Sequence, residues 1–566
     1  MADSFDVRID FDVRIPMRDD VHLSTIILRP GREGRFPVLL SRTPYGKINE
    51  SDFMLGAARN GYVVISQDVR GTGESEGTFI PMQSEVEDGW DTLDWIVSQP
   101  YAQPNVGMYG SSYVGFTQVA AAASRHPSLK AISPRVCTFN PYNMWDNGRG
   151  AFPFQVWLVW VYSAVLGQAA FRSSEETQKR YLAESIKLFD GLSTGETLKK
   201  LPLSAYPFLG DGELLPYSRH LLEDFGRYEN LVNPVPERWQ PEIPTLFIGG
   251  WYDPFTTRHL ADWGITADNP LGHRIFIGPW DHFIDNQEVG DLDFGHYASP
   301  FSILLNDVLL RWFDHTLKGI SSGLAQEPPV KAFEMGSNCF RMLNTWPPEG
   351  STEHTLYLHS SSKAGSTIED GTLSFSKPLD EPADEYLYDP ANPVPSVGGA
   401  LLRSSSVQTG PRDQSRIEQR SDVLVYTGLP VKNETTIAGP VRVILWVSTD
   451  AADTDFCARL VDVHPDGRSY NILHSLTRLR FRYPEAGPTS VNPGEIYKLE
   501  LDLGATFHTY LPGHRIRVDI CSSDFPLSVR NLNTDEDLLN QENMVKANNT
   551  VYHNKEHPSC LVFTKK

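Results

Sequence analysis

The sequence predicts an α/β domain carrying a helical insertion and followed by a β-rich domain. Three observations carry that reading. Strand-like and helix-like stretches alternate through the first part of the chain, as they do where helices cover a mostly parallel sheet. Between about 145 and 240 the alternation lapses into helical, aromatic-rich sequence, and then it resumes. After about 351, short β-branched runs separated by Gly, Pro, Asn and Asp recur, the mark of an antiparallel sandwich or jelly roll. The chain has 566 residues, more than one hydrophobic core of roughly 250–300 residues can serve. The expected division is an α/β domain in two parts, 1–144 and 241–352, a helical cap over 145–240, and a C-terminal β-sandwich over 353–566.

Each element follows from its local pattern. Phe5–Ile9 and Phe11–Ile15 repeat a similar motif and read as two stretches of edge strand. Phe36–Leu40 and Tyr62–Ser66 are compact apolar runs expected as buried strands. Glu85–Gln99 has Trp90, Leu93, Trp95 and Ile96 at helical spacing, so a helix with those residues inward is expected. Val106–Tyr109 reads as the next strand and Tyr113–Arg125 as the helix after it. Beyond the insertion, Pro244–Gly250 and Arg274–Gly278 are strands, and Pro300–Gly319 closes the domain with an amphipathic helix. In the β-rich part, Val441–Val447 and Arg515–Ile520 are the clearest strands.

Composition narrows the class. The net charge is −21 and the pI about 5.2. Binding to nucleic acid or anionic membrane depends on a surplus of Lys and Arg, so neither partner is expected. The five cysteines are scattered, with no CxxC pair, which argues against zinc ribbons and fits free thiols in a reducing compartment. The N-terminus, Met1-Ala2-Asp3-Ser4-Phe5-Asp6, is acidic and lacks a signal-peptide pattern. The apolar stretch Phe152–Phe171 is interrupted by Pro153, Gln155 and Ser163, poor for a membrane span. A cytoplasmic protein is expected. No metal site is expected, because His and acidic residues show no ligand-like spacing on a shared element.

The chemistry centres on Gly110-Ser111-Ser112-Tyr113-Val114-Gly115, between an expected strand and an expected helix. A nucleophile elbow needs that placement, because a sharp turn holds the serine oxygen above the sheet edge beside a helix N-terminus. Gly110 precedes Ser112 by two positions, while the second glycine comes one position later than in G-x-S-x-G. Ser111 is the rival nucleophile, with Tyr109 crowding its turn. A serine hydroxyl needs a base, and the base an orienting carboxylate. Asp253 follows one late strand and His282 the next, the chain order Ser, Asp, His of such folds. Asp281 and Asp285 compete with Asp253, and His273 and His296 with His282. The amide of Tyr113 would donate to a tetrahedral oxyanion, and the Tyr45 hydroxyl in Arg42-Thr43-Pro44-Tyr45 could serve as second donor.

Five motifs in one order resemble the CocE/NonD hydrolases, relatives of the α-amino acid ester hydrolases and X-Pro dipeptidyl peptidases. They are Arg42–Tyr45, Asp68-Val69-Arg70-Gly71-Thr72-Gly73-Glu74-Ser75, Gly110–Gly115, Gly249-Gly250-Trp251-Tyr252-Asp253 and Gly278-Pro279-Trp280-Asp281-His282. Tyr386–Pro395 and Leu511–Ile516 extend the likeness into the β-rich part. The resemblance implies an α/β-hydrolase domain, a cap inserted after the nucleophile helix and a C-terminal jelly roll. It implies a triad of Ser112, Asp253 and His282, an oxyanion role for Tyr45 beside Tyr113, and hydrolysis of a small-molecule ester, or in some members an amide, without cofactor. It also allows a homodimer.

Cap aromatics Trp145, Phe152, Phe154, Trp157, Trp160 and Tyr162 mostly suit a cap core, with Trp157 and Phe255 picked to line an apolar acyl pocket. By the resemblance, the segment Gly398–Arg403 reaches that pocket, bringing Leu402 and Arg403. A family relative has an apolar residue at the latter position. Arg403 turned inward would favour an acyl group bearing a carboxylate. Pro254-Phe255-Thr256 stands where the α-amino acid ester hydrolases carry ammonium-binding carboxylates, with Asp146 as a candidate for a remaining member, so weak action on α-amino acyl esters is expected.

Overall fold

The computed structural model describes residues 6–48, 51–139, 150, 152–194, 197–206, 235, 239–266, 271–366, 369–403 and 408–566. Trp145, Asp146 and much of the expected cap lie outside them.

Val7–Pro16 (β1), His22–Pro30 (β2), Phe36–Thr43 (β3), Val63–Asp68 (β4), Ala102–Ser111 (β5), Leu129–Arg135 (β6), Leu246–Tyr252 (β7) and Arg274–Asp281 (β8) form one sheet. With Val330–Glu334 and Cys339–Leu343 it has ten strands, ordered β1-β2-β4-β3-β5-β6-β7-β8 and then these two. From β4 to Val330–Glu334 every neighbour pair is parallel. Every residue of β3, β4 and β7 is buried, as expected of strands covered on both faces. The chain is an α/β protein with an inserted helical segment and a β-rich C-terminal part.

Two local expectations are corrected. The repeated N-terminal motifs form one strand, β1, with a bulge between Asp10 and Val13, where Asp12 takes a φ of 52°. Beyond the helix Ser51–Arg59 (α1), the helix Glu85–Ser98 (α2) buries Glu85, Asp88 and Thr92 beside Leu93 and Ile96, and leaves Trp90 and Trp95 only half-buried. The buried acids have partners that apolar periodicity cannot show. Arg42, wholly buried, lies 2.9 Å from Glu85, and Arg70 lies 2.6 Å from Asp88.

The inserted segment contains an 18-residue helical run, Phe154–Phe171, apolar and long enough to cross a membrane by composition. Here 61% of it is buried, and Val161–Leu166 within it is a π-helical stretch. The run is tied to the motif after β4: Gln168 accepts the Gly73 amide at 2.9 Å, and Arg172 donates to the Gly73 carbonyl at 3.0 Å. The Asp68–Ser75 motif is thus a built loop. Asp68 accepts the Lys47 amide at 2.8 Å, and a Cβ on Gly73, at φ 49°, would lie 2.3 Å from the Asp68 carboxylate.

A second sheet assembly of eleven strands, nearly all antiparallel, begins at Thr352–His359. Its long strands are Thr435–Thr449 and Tyr497–Tyr510. Both sheet systems share one apolar core in which Phe333 and Met335 meet Phe507 and Tyr510. Met335 donates its amide to Phe507 O and accepts that of Thr509, both at 2.9 Å.

Candidate active site

The nucleophile candidate sits on a strained turn. β5 ends at Ser111 and the helix Tyr113–Ala123 (α3) begins at Tyr113, so the turn is the single residue Ser112. Its φ of 60° and ψ of −126° lie where non-glycine residues rarely go. The neighbouring glycines have a steric reason. A Cβ on Gly110 would lie 2.1 Å from Val114, and one on Gly115 would lie 2.6 Å from the Cys137 sulfur. The second contact explains why the glycine stands at 115, where α3 crosses the chain after β6.

Asp253 follows β7 directly, and His282 follows β8. His282 Nδ1 is 2.6 Å from Asp253 Oδ1. The other oxygen of Asp253 accepts the Phe255 amide at 3.1 Å. Asp253 is 2% exposed. The rivals stand elsewhere. Asp281 accepts the Thr409 hydroxyl at 2.9 Å, Asp285 pairs with Arg403, and His296 is exposed beside Ser302.

His273 is buried ahead of β8, and neither ring nitrogen has a hydrogen-bond partner among the described residues. Burial pushes its pKa down from 6.5 to about 4. The native state therefore resists a proton that the unfolded chain accepts. This stability contribution is complete above pH 6.5 and is lost as pH falls toward 4, by up to about 3 kcal/mol. His273→Phe should flatten that acid limb in urea titrations at a series of pH values. An unchanged limb would reject the assignment.

Tyr45 and Tyr113 converge on Ser112. The Tyr45 hydroxyl oxygen accepts from Trp160 Nε1 at 3.2 Å and is also hydrogen-bonded to the Ser112 side chain and the Tyr113 amide. Burial raises the phenol's pKa above its ordinary value, outweighing these contacts, so the donor proton is retained. The Tyr113 phenol is held away from the turn, donating to Glu85 at 2.9 Å and accepting the Met82 amide at 2.7 Å. Glu85 in turn pairs with Arg42, so the buried Arg42 of the first motif braces the residue after Ser112.

Ser112 and His282 open into one cavity of about 470 Å³ lined by Tyr45, Val156, Trp160, Phe255, Leu402 and Arg403 among others. Phe255 meets the His282 ring edge-on at 5.3 Å. The Leu402 backbone is clamped by the fully buried Gln155, whose amide donates to the Leu402 carbonyl at 2.7 Å and accepts its N–H at 3.2 Å. Trp157, picked for this wall, instead lies 1% exposed against Phe152 in the cap core. The lining stripe is Val156, Val159, Trp160 and Ser163, with i, i+3, i+4 and i+7 spacing, and Trp157 falls on the next ridge. Trp160 stacks on Tyr113 at 6.2 Å and 17°. It is the main lining residue the sequence reading passed over. Arg403 stands at the rim, over the Phe283 ring at 4.9 Å, with Asp285 at 2.5 Å and Asp281 at 3.5 Å. Its charge is thus answered from within the chain. Among the described residues lining the cavity there is no carboxylate.

A serine on a strained strand-to-helix turn, with a His–Asp pair at the ends of two later parallel strands, β7 and β8, is the arrangement of a serine hydrolase of the α/β-hydrolase class. Residues 19–284 match the model of the X-Pro dipeptidyl-peptidase (S15) family, and 322–562 match the model of the X-Pro dipeptidyl-peptidase C-terminal non-catalytic domain. The cocaine esterase of Rhodococcus sp. (strain MB1 Bresler) is 36% identical over 97% of both chains. The chain belongs to the CocE/NonD serine hydrolase family, which that likeness shows. Among solved structures, an aminopeptidase from a marine sediment Thaumarchaeota archaeon superposes with a TM-score of 0.82 at 25% identity, covering 99% of this chain and 96% of that one. An α-amino acid ester hydrolase gives 0.76 at 25% identity, covering 100% and 98%.

Proposed function

We propose that this serine hydrolase cleaves a small-molecule carboxylic ester through an acyl-enzyme formed on Ser112. The observation that carries the reading is the 2.6 Å contact between His282 Nδ1 and Asp253 at a cavity that also holds Ser112. With Nδ1 committed to Asp253, Nε2 is the nitrogen left to take the Ser112 proton. The alkoxide attacks the ester carbonyl, and the tetrahedral oxygen accepts from the Tyr113 amide and the Tyr45 hydroxyl. Trp160 acts on that hydroxyl by donating to its oxygen, which polarises the O–H. His282 then returns the proton to the leaving alcohol, and water repeats the cycle on the acyl-enzyme.

The apolar wall of Phe255, Trp160, Val156 and Leu402 favours a hydrophobic, including aromatic, acyl group. Arg403, already paired, offers little attraction to an acyl carboxylate. A substrate ammonium would meet no counter-ion among the described lining residues. The proposal places Ser112, Asp253 and His282 in the triad, Tyr45 and Tyr113 in the oxyanion site, and Phe255, Leu402 and Arg403 around the substrate. It also holds the enzyme to be cytoplasmic, free of cofactor, nucleic acid and membrane, and able to form a homodimer.

The second reading, amide cleavage on the same triad, is favoured by the family models named for X-Pro dipeptidyl-peptidases. Parallel assays separate the two. Butyryl and benzoyl p-nitrophenyl esters should be hydrolysed at least roughly 100-fold faster in kcat/KM than the matched anilides and α-amino acyl esters, a gap of about 3 kcal/mol. Equal or faster anilide cleavage would sink the ester reading.

A further inference from the structure

Away from the cavity, the C-terminal sheet assembly gathers three histidines around one aspartate. Asp462 lies in the strand Asp455–Val463, and His464 is one residue beyond its end. His508 lies in Tyr497–Tyr510, and His514 immediately precedes Arg515–Cys521. Asp462 is 3% exposed. Its Oδ1 is 2.9 Å from His514 Nδ1, and its Oδ2 is 2.9 Å from His508 Nε2 and 3.7 Å from His464 Nε2. One donor atom from each of Asp462, His464 and His514 falls within 4.8 Å of the others. The rings of His464 and His514 are 4.2 Å apart.

We propose that Asp462, His464 and His514 bind one divalent transition-metal ion of the zinc class, with His508 holding the carboxylate. Two imidazoles and a carboxylate suit zinc, whereas calcium and magnesium take mostly oxygen ligands. Metal–ligand bonds of about 2 Å imply donor separations of roughly 3.3 Å in a tetrahedron. The Asp462–His514 pair is already closer than that, and His464 Nε2, 3.7 Å from Asp462, must move inward on binding. Binding would displace the proton between His514 and Asp462. His508 has the right tautomer for its part. Its Nε2, 2.9 Å from the carboxylate, carries the proton and donates it to Asp462 Oδ2, while Nδ1 is buried without a partner among the described residues. The fourth position faces water past His464, whose side chain is 24% exposed. The charged groups facing it there are Asp466 and Arg468, which pair with each other at 2.6 Å. Tyr470 packs its ring on His464 at 4.9 Å.

The site lies at the seam of the two sheet systems. Burial first, and the Asp462 charge second, raise the phenol pKa of Tyr252, the residue before Asp253. A metal here would staple the seam and take no part in ester hydrolysis.

The full chain, dialysed against a chelator, should bind one equivalent of Co²⁺ with the intense visible band of a four-coordinate centre. An equivalent of Zn²⁺ should bleach that band and raise Tm. His464→Ala, at the most exposed of the four, should abolish the band and weaken Zn²⁺ binding by on the order of 100-fold or more, and His508→Phe should weaken it about 10–100-fold. Ester hydrolysis should be unchanged in both. Absence of a one-equivalent Co²⁺ band, or the same affinity in folded His464→Ala, would overturn the assignment, and a folded wild type is sufficient for the first of these.

Discussion

Replacing Ser112 with alanine should lower kcat on a p-nitrophenyl ester by on the order of 10⁶-fold, the loss expected when a nucleophile that works as a unit with its base is removed. Labelling by a fluorophosphonate probe should vanish with it. The fold should tolerate the change, because alanine removes one oxygen and leaves the Gly110 and Gly115 contacts as they are. The φ of 60° at this position costs as much for alanine as for serine, so no relief of strain is expected beyond a small shift in Tm. The decisive measurement pairs labelling with thermal melting. A folded Ser112→Ala protein that still labels would move the nucleophile to Ser111, which also lines the cavity.

Asp253→Asn should cost about 10⁴-fold in kcat. An asparagine can donate its amide to His282 Nδ1, which puts the ring proton on Nε2 and removes the lone pair that must accept from Ser112. KM should change little, because Asp253 is not among the residues lining the cavity. A loss below roughly tenfold would mean that another carboxylate can orient His282, and Asp281 and Asp285 are the nearest in sequence to be tried next. Stopped-flow traces add a second check, since the burst of released nitrophenol should disappear.

The positions of Ser112, Asp253 and His282 were legible because each follows a strand whose apolar run is unmistakable, and in a parallel sheet successive strand ends share one edge. Tyr113 follows from its place after Ser112, whereas Tyr45 drew its expected oxyanion role from the family resemblance. Helix phase was harder to read. Phe154–Phe171 is apolar on nearly every side, so periodicity gives no direction, and the π-helical stretch at Val161–Leu166 shifts the phase again. Trp157 was picked for the wall that Trp160 occupies because the α-helical part of the run, Phe154–Trp160, is itself apolar on nearly every side. In α2 the apolar count put Trp90 inward, whereas buried ion pairs with Arg42 and Arg70 bring Glu85 and Asp88 there. Asp462, His464, His508 and His514 show no ligand spacing because three separate strands supply them: Asp455–Val463 pairs with Arg515–Cys521, and Tyr497–Tyr510, paired elsewhere, packs against the first of these.

Gln155 gives both its amide oxygen and its amide nitrogen to the backbone of Leu402, which lies 247 positions further along the chain. The part of the cavity wall built from Leu402 and Arg403 therefore has no shape until the late segment has been made and docked. Ser112, Asp253 and His282 are all synthesised before Leu402, the residue that closes the chamber beside them. The side-chain amide of one glutamine ties the early segment to the late one once both have been made.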